Sequence, residues 1–143
     1  LQELAERAAN PERCLQDMGE QLIESTKQRF STKTAPDGSR WQDNADSTIE
    51  HKGSNSPLVE YGALGTQFNH DLPDRHTLIV FSTMEYAATH QFGATQGQFG
   101  VGEKSGLPIP FGDIPARPFL GVSDDDGVMM LQMMRDFIDG DNV

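Results

Sequence analysis

Cysteine is almost missing from this chain. Cys14 is the only one in 143 residues, so no disulfide can form within it, which fits synthesis in a reducing cytoplasm. Basic residues are also scarce: 11 Lys and Arg stand against 22 Asp and Glu, for a formal net charge of −11. They gather into no stripe, and such a chain is repelled by phosphate backbones, which disfavours specific nucleic-acid binding. No apolar run approaches the roughly 20 residues that span a bilayer. The first residues, Leu1 to Ala9, are charged and amphipathic rather than signal-like, so the expectation is a protein with no membrane address.

What is present is enough for one domain over residues 1–143, since domains commonly hold about 100–150 residues. Apolar residues make up 36%, which predicts a modest core with long polar loops. The acidic excess is uneven. From Ser123 to Val143 six aspartates oppose Arg135 alone. The first reading is a solvated acidic face; the second is a face turned to a basic partner or to a passage through which nucleic acid slides.

The first strong periodicity follows Asn10-Pro11, with Asn10 as N-cap and Pro11 at the first helical position. Leu15, Met18, Leu22, Thr26 and Phe30 then recur every three or four residues, predicting a helix over about 11–30. Ala35-Pro36-Asp37-Gly38 is turn chemistry. Trp41 follows it, either pinning that loop to the core or meeting a partner. Ser47 to Lys52 reads as a short helical turn. Phe68 to Leu72 and Thr77 to Phe81 read as two strands, with Pro73-Asp74 as the turn, so that strands occupy about 68–82. Glu85 to Phe92 reads as a short helix ended by Gly93.

Gly93 to Pro115 holds six glycines and three prolines in 23 residues and reads as a long irregular loop that orders on docking. The last helix, about 123–139, opens with Asp124, Asp125 and Asp126 in its first turn. Its expected buried face is Met130, Met134, Phe137 and Ile138. The fold class is therefore α+β, a small antiparallel sheet packed against N-terminal and C-terminal helices with long irregular loops.

Catalytic signatures fail one by one. Gly97 to Ser105 approaches a phosphate-binding loop, but Glu103 separates Gly102 from Lys104, and Leu107-Pro108-Ile109-Pro110 cannot supply the helix whose N-terminus holds the phosphate. His51, His70, His76 and His90 show no metal-ligand spacing. No serine sits in a nucleophile elbow. Cys14 lies mid-helix on no special turn, and Asp124-Asp125-Asp126-Gly127 lacks the alternation of a calcium loop. No catalytic residue, metal or cofactor is expected.

Several strings together carry a resemblance. They are Arg29-Phe30, Pro36-Asp37-Gly38-Ser39-Arg40-Trp41, Thr48 and Lys52, Leu58 with Gly62-Ala63-Leu64, Tyr86-Ala87-Ala88-Thr89-His90-Gln91-Phe92-Gly93, and Ile114-Pro115-Ala116-Arg117-Pro118-Phe119-Leu120-Gly121-Val122-Ser123. In this order the chain resembles the phage virion morphogenesis family, which includes the Mu-type G and the tail-completion S proteins. More distantly it is similar to neck and tail-terminator proteins of long-tailed phages.

That resemblance implies a structural component assembled in the host cytoplasm and placed in the virion at the head–tail junction. It implies a homo-oligomeric ring, commonly a hexamer, touching the tail tube protein and the head–tail connector or stopper, with the genome passing through. A head-side connector or capsid morphogenesis role is the first alternative, and a small cell-wall hydrolase comes from another class. The candidate contact residues are Arg117, Tyr86, His90, Trp41, Phe99 and Lys104. Pro118 biases Arg117 to an extended conformation, so its guanidinium is expected to point outward to a neighbour's carboxylate, or else to pair with Asp124 or Asp125 of its own chain. Tyr86 and His90 share a helical face, where packing inside the domain competes with a contact role. Phe92, Phe119 and Leu120 are expected to turn into the core.

Overall fold

The computed structural model describes residues 1–44 and 64–140. The expected turn at Ser47 to Lys52, and the strings at Leu58 and Gly62-Ala63, lie outside them. Helix α1 (Gln2–Ala9) precedes α2 (Glu12–Thr32); β1 (Phe68–Asp74) pairs antiparallel with β2 (Thr77–Ser82); α3 (Ala87–Phe92) and α4 (Asp124–Asp139) follow. The α+β class with terminal helices is the one expected.

Helix α1 is amphipathic but buries no residue, so it stands outside the core. Its Leu, Glu, Ala, Gln and Arg are strong helix formers. It leans on the end of α4, where Arg7 Nη1 donates to the Ile138 carbonyl at 3.2 Å. Asn10 does not cap α2: its Nδ2 donates back to the Glu6 carbonyl at 2.9 Å, closing α1 instead. Helix α2 buries Cys14, Met18, Gly19, Leu22, Thr26, Arg29 and Phe30 and ends at Lys33, which takes a left-handed conformation. The chain then doubles back as expected at Pro36-Asp37-Gly38. Ala35 N donates to Ser39 O at 2.8 Å, and Trp41 N donates to Lys33 O at 2.8 Å.

The hairpin turn is Arg75-His76, not Pro73-Asp74, because Asp74 still pairs with Thr77. A register shift between Asp71 and Asp74 accommodates Pro73, as expected for a residue with no amide proton to give to a ladder. Asp74 organises the turn, accepting from His76 N and Thr77 Oγ1, each at 2.8 Å. These bonds to its ionised form hold its carboxyl below the usual carboxylate range.

The core forms where α2 meets the sheet and the loops around Trp41 and Phe119. It contains Phe30, Ala35, Trp41, Leu64, Phe68, Ala87 and Phe119, with Ile23, Met84 and Leu120 packed against it. Phe119 is 0% exposed. Phe30 is the shared neighbour, its ring 5.2 Å from Trp41 in an edge-on contact, 5.5 Å from Phe119 and 5.9 Å from Phe68. Such pairs add about 0.5–1.5 kcal/mol each beyond area burial.

Behind this aromatic cluster lies a buried charge network. Arg29 Nη1 donates to Phe119 O at 2.7 Å and to Gly121 O at 3.1 Å, while Nη2 bonds the Asp126 carboxylate. Asp126 also accepts from Ser25 Oγ at 2.6 Å and from Ser123 N at 2.9 Å, and its own amide donates to Ser123 Oγ. It is therefore both ion-pair partner and capping-box residue of α4. Burial acts to raise the Asp126 pKa, but the bonds from Ser25 and Ser123 and the Arg29 charge outweigh it and hold the carboxyl below its ordinary value. The face expected to be buried in α4, Met130, Met134, Phe137 and Ile138, is only half-buried; Asp126 is its one buried residue.

Removing one member of a buried ion pair strands the other in a low dielectric, costing about 3–5 kcal/mol. Arg29→Met and Asp126→Asn should each lower unfolding free energy by that order in urea titrations at neutral pH. The Arg29→Met/Asp126→Leu double variant should not recover it, because the Phe119 and Gly121 carbonyls and the α4 cap lose their partners too. Since the folded pKa of Asp126 is depressed, its contribution is present above its unfolded value of about 3.9 and disappears as pH falls through the lower folded value. The stability gap between wild type and Asp126→Asn should therefore narrow below about pH 4.

Candidate interaction surface

The extended segment from Ile114 to Gly121 is where the parts of the molecule converge. Two of the strings that carry the sequence resemblance, Tyr86 to Gly93 and Ile114 to Gly121, meet on it. Arg117 N donates to His90 O at 2.8 Å. Gln91 Oε1 accepts from Phe119 N and Leu120 N, each at 3.0 Å, and its Nε2 returns a bond to Leu120 O at 3.0 Å. Gly93, at a φ of +74°, lies so close that a Cβ there would stand 2.7 Å from Ile114 O and 2.8 Å from Ala116 N. Glycine is thus demanded twice, by conformation and by space. From the other side, Trp41 Nε1 donates to Pro118 O at 2.8 Å.

These bonds revise the placement of Arg117. It is 7% exposed and donates from Nε to Gln42 O at 2.8 Å and from Nη2 to Asp43 O at 3.0 Å. The guanidinium is held within its own chain rather than outward, and its partners are carbonyls, not Asp124 or Asp125. Burial pushes its pKa down, with the charge of Asp43 opposing. The direction differs from the outward one expected, because a planar five-donor fork meets the carbonyls that follow Trp41. Trp41 is buried in the core cluster, pinning its loop. Tyr86 and His90 do share a face, with ring centroids 5.8 Å apart and planes at 85°. Tyr86 flanks α3 as its N-cap and is more than a third exposed.

Gly93 to Pro115 is not an unpaired loop. Bridges link Ala94 to Ile114 and Val101 to Pro108, Phe99 N donates to Ile109 O and Ile109 N to Gly100 O, both at 2.8 Å, and Gly102 N donates to Leu107 O at 2.9 Å. Phe99 and Gly100 together oppose Ile109, an extra residue that bends the pairing. The segment is an irregular antiparallel arm. In the sequence its apolar residues, Phe99, Val101, Leu107, Ile109 and Phe111, alternate with glycine and proline, a period-two signal masked by the breakers.

That arm carries the exposed apolar surface. Phe92 at its base is 79% exposed, contrary to the expected core position; Phe111 is 71% and Phe99 is 54% exposed. Val101, Leu107 and Ile109 are also exposed. Contiguous apolar surface beyond a few hundred Å² marks interaction sites on soluble proteins. Lys104 is exposed at the tip, four residues of turn separating the two legs. Of the six candidate contact residues, the fold therefore brings Phe99 and Lys104 together on the arm and takes Trp41 and Arg117 into its support.

Chemistry finds little to work with. Among the described residues no group of His, Cys, Asp and Glu is placed to hold a metal ion, and no helix is long and apolar enough to cross a membrane. Cys14 is buried beside α4, its thiol pointing to Met133 O at 3.7 Å. Burial, then the charge of Asp17, raises its pKa, which disfavours the nucleophilic thiolate.

The family model for phage virion morphogenesis matches residues 1–139. No curated protein matches the chain, and neither does any solved structure.

Gln91→Ala should leave the amides of Phe119 and Leu120 without partners, at about 1–3 kcal/mol. Hydrogen exchange should accelerate at those two amides while those of the β1–β2 ladder stay protected. Arg117→Lys keeps the charge but loses the fork that reaches two carbonyls at once, so a denaturation midpoint below wild type is expected.

Proposed function

We propose that this chain, which belongs to the phage virion morphogenesis family, completes the tail of the particle as a ring at the head–tail junction. Its part in building the virion is structural or morphogenetic. Within that part, copies close into a ring, hexameric in this reading, on the end of the tail tube. The ring stops tube growth and presents a surface to the head-side connector or stopper. Heterologous contacts that close a rotation generate rings.

The observation that supports this most directly is the arm. It carries an apolar surface beside a segment that Gln91, Trp41 and Arg29 hold by buried and part-buried hydrogen bonds. The acidity fits a position along the path of the genome, since a wall of negative charge lets a polyanion slide without sticking. Assembly needs no reacting group, and the buried, high-pKa Cys14 and the sequestered Arg117 are suited to holding shape.

Electron microscopy of lysates from a phage lacking this gene tests the reading. Filled heads beside separate tails, with tails of variable length, are expected. Empty or unstable heads beside finished tails of normal length would move the protein to the head side and overturn it.

A further inference from the structure

We infer that neighbouring copies of this chain join by a heterologous contact, the arm of one copy lying along the outer face of α4 of the next. The inference rests on the ring reading and names its interface. Among the described residues, two exposed apolar surfaces stand out. One is the arm, with Phe92, Phe99, Val101, Leu107, Ile109 and Phe111. Taking aromatic side chains at roughly 150–250 Å² each, the arm exposes on the order of 700 Å² of apolar surface, close to the ~800 Å² that each partner contributes to a stable interface.

The other surface is on α4. That helix is amphipathic and its inner side is half-buried, yet Val128 and Leu131 on the outer side are more than half exposed, as is Val122 just before it. An apolar strip on the outside of an otherwise acidic helix is a surface that a second copy can cover. Two distinct apolar surfaces on one chain, rather than one self-matching patch, are what a head-to-tail contact requires.

Electrostatics favours a second copy over a basic partner at the arm. A chain of net charge −11 repels its own copies, yet the whole stretch from Gly93 to Gly112 holds only Glu103 and Lys104 as charges. The arm is the neutral surface by which like-charged copies can approach. At its tip Lys104 has no ion-pair partner among the described residues, and neither do Asp124 and Asp125, which stand exposed at the start of α4 beside the Val128–Leu131 strip. With the apolar arm on the strip, Lys104 faces those carboxylates and sets the direction of the contact.

The test uses the full chain, with multimer mass followed by mass photometry and light scattering, and circular dichroism confirming that each variant folds. The wild type should form multimers. Phe99→Ser with Phe111→Ser (arm variant), and Val128→Glu with Leu131→Glu (face variant), should each be monomeric alone. Mixed in equal amounts they should form a one-to-one dimer and nothing larger, since one intact arm meets one intact face. Lys104→Ala should weaken association by up to about fivefold, in keeping with an exposed ion pair.

A monomeric wild type, a multimeric arm or face variant, or a mixture with no dimer would each overturn the inference. A face variant of wild-type size beside a monomeric arm variant would show arm-to-arm pairing instead. The tail-completion reading fails separately, on normal tails in the gene-deleted lysate, and the contact proposed here would stand through that failure.

Discussion

A buried guanidinium cannot be left without partners, and much of this fold follows from where Arg29 finds them. A desolvated charge is tolerated only if donors and acceptors match it closely. Arg29 meets that requirement with two backbone carbonyls, Phe119 and Gly121, and one carboxylate, Asp126. Two successive pieces of the chain, the extended segment and the start of α4, are thereby tied to one point on α2, 90 to 97 residues earlier. Phe119 is delivered into the aromatic cluster by the same carbonyl that Arg29 holds. The apolar core supplies the larger driving force, but apolar contacts are non-directional; the polar bonds select which of many collapsed arrangements is kept.

The extended segment from Ile114 to Gly121 is accordingly less a loop than a spine. Gln91 grips it from α3, Trp41 from the loop after α2, Arg29 from behind, and Arg117 reaches out from it to the carbonyls of Gln42 and Asp43. Its proline-rich backbone offers few amide protons, so side chains of neighbouring elements take over the bonding that a strand ladder would provide. The arm leaves α3 at Gly93 and joins this spine at Ile114, and its base is closed by two backbone hydrogen bonds between Ala94 and Ile114. A rigid base under an exposed apolar surface lowers the entropic cost of docking, since little is left to order on contact.

The division between scaffold and surface also explains which residues misled a reading of types and spacings. Arg117 is a large, charged side chain beside a proline, and from sequence it looks available to a partner. It is in fact structural, reaching the carbonyls of Gln42 and Asp43, just as Trp41 reaches that of Pro118 in the loop-pinning role the sequence allowed. Phe92 behaves oppositely. As an aromatic at the end of a short helix it looks like a core residue, yet it lies outward because Gly93 must press against Ile114 and Ala116, and that contact fixes how α3 is turned.

By itself the sequence determined the long amphipathic α2, the two strands, the start of α4 with its acidic first turn, the turn at Pro36-Asp37-Gly38 and the family. These depend on local rules: apolar period, β-branched runs, capping chemistry and fixed strings, each legible within a window of a few residues. Only the tertiary structure decided that Arg29 pairs with Asp126, that Gln91 clamps Phe119 and Leu120, that Arg117 turns inward and that the glycine-rich segment is a paired arm. The first three join partners dozens of residues apart, the arm's pairing is interrupted by glycine and proline, and an unfolded chain holds no record of which donor will meet which acceptor. Hydrophobic collapse brings them near, and the cost of leaving any buried polar group unmatched settles the pairing.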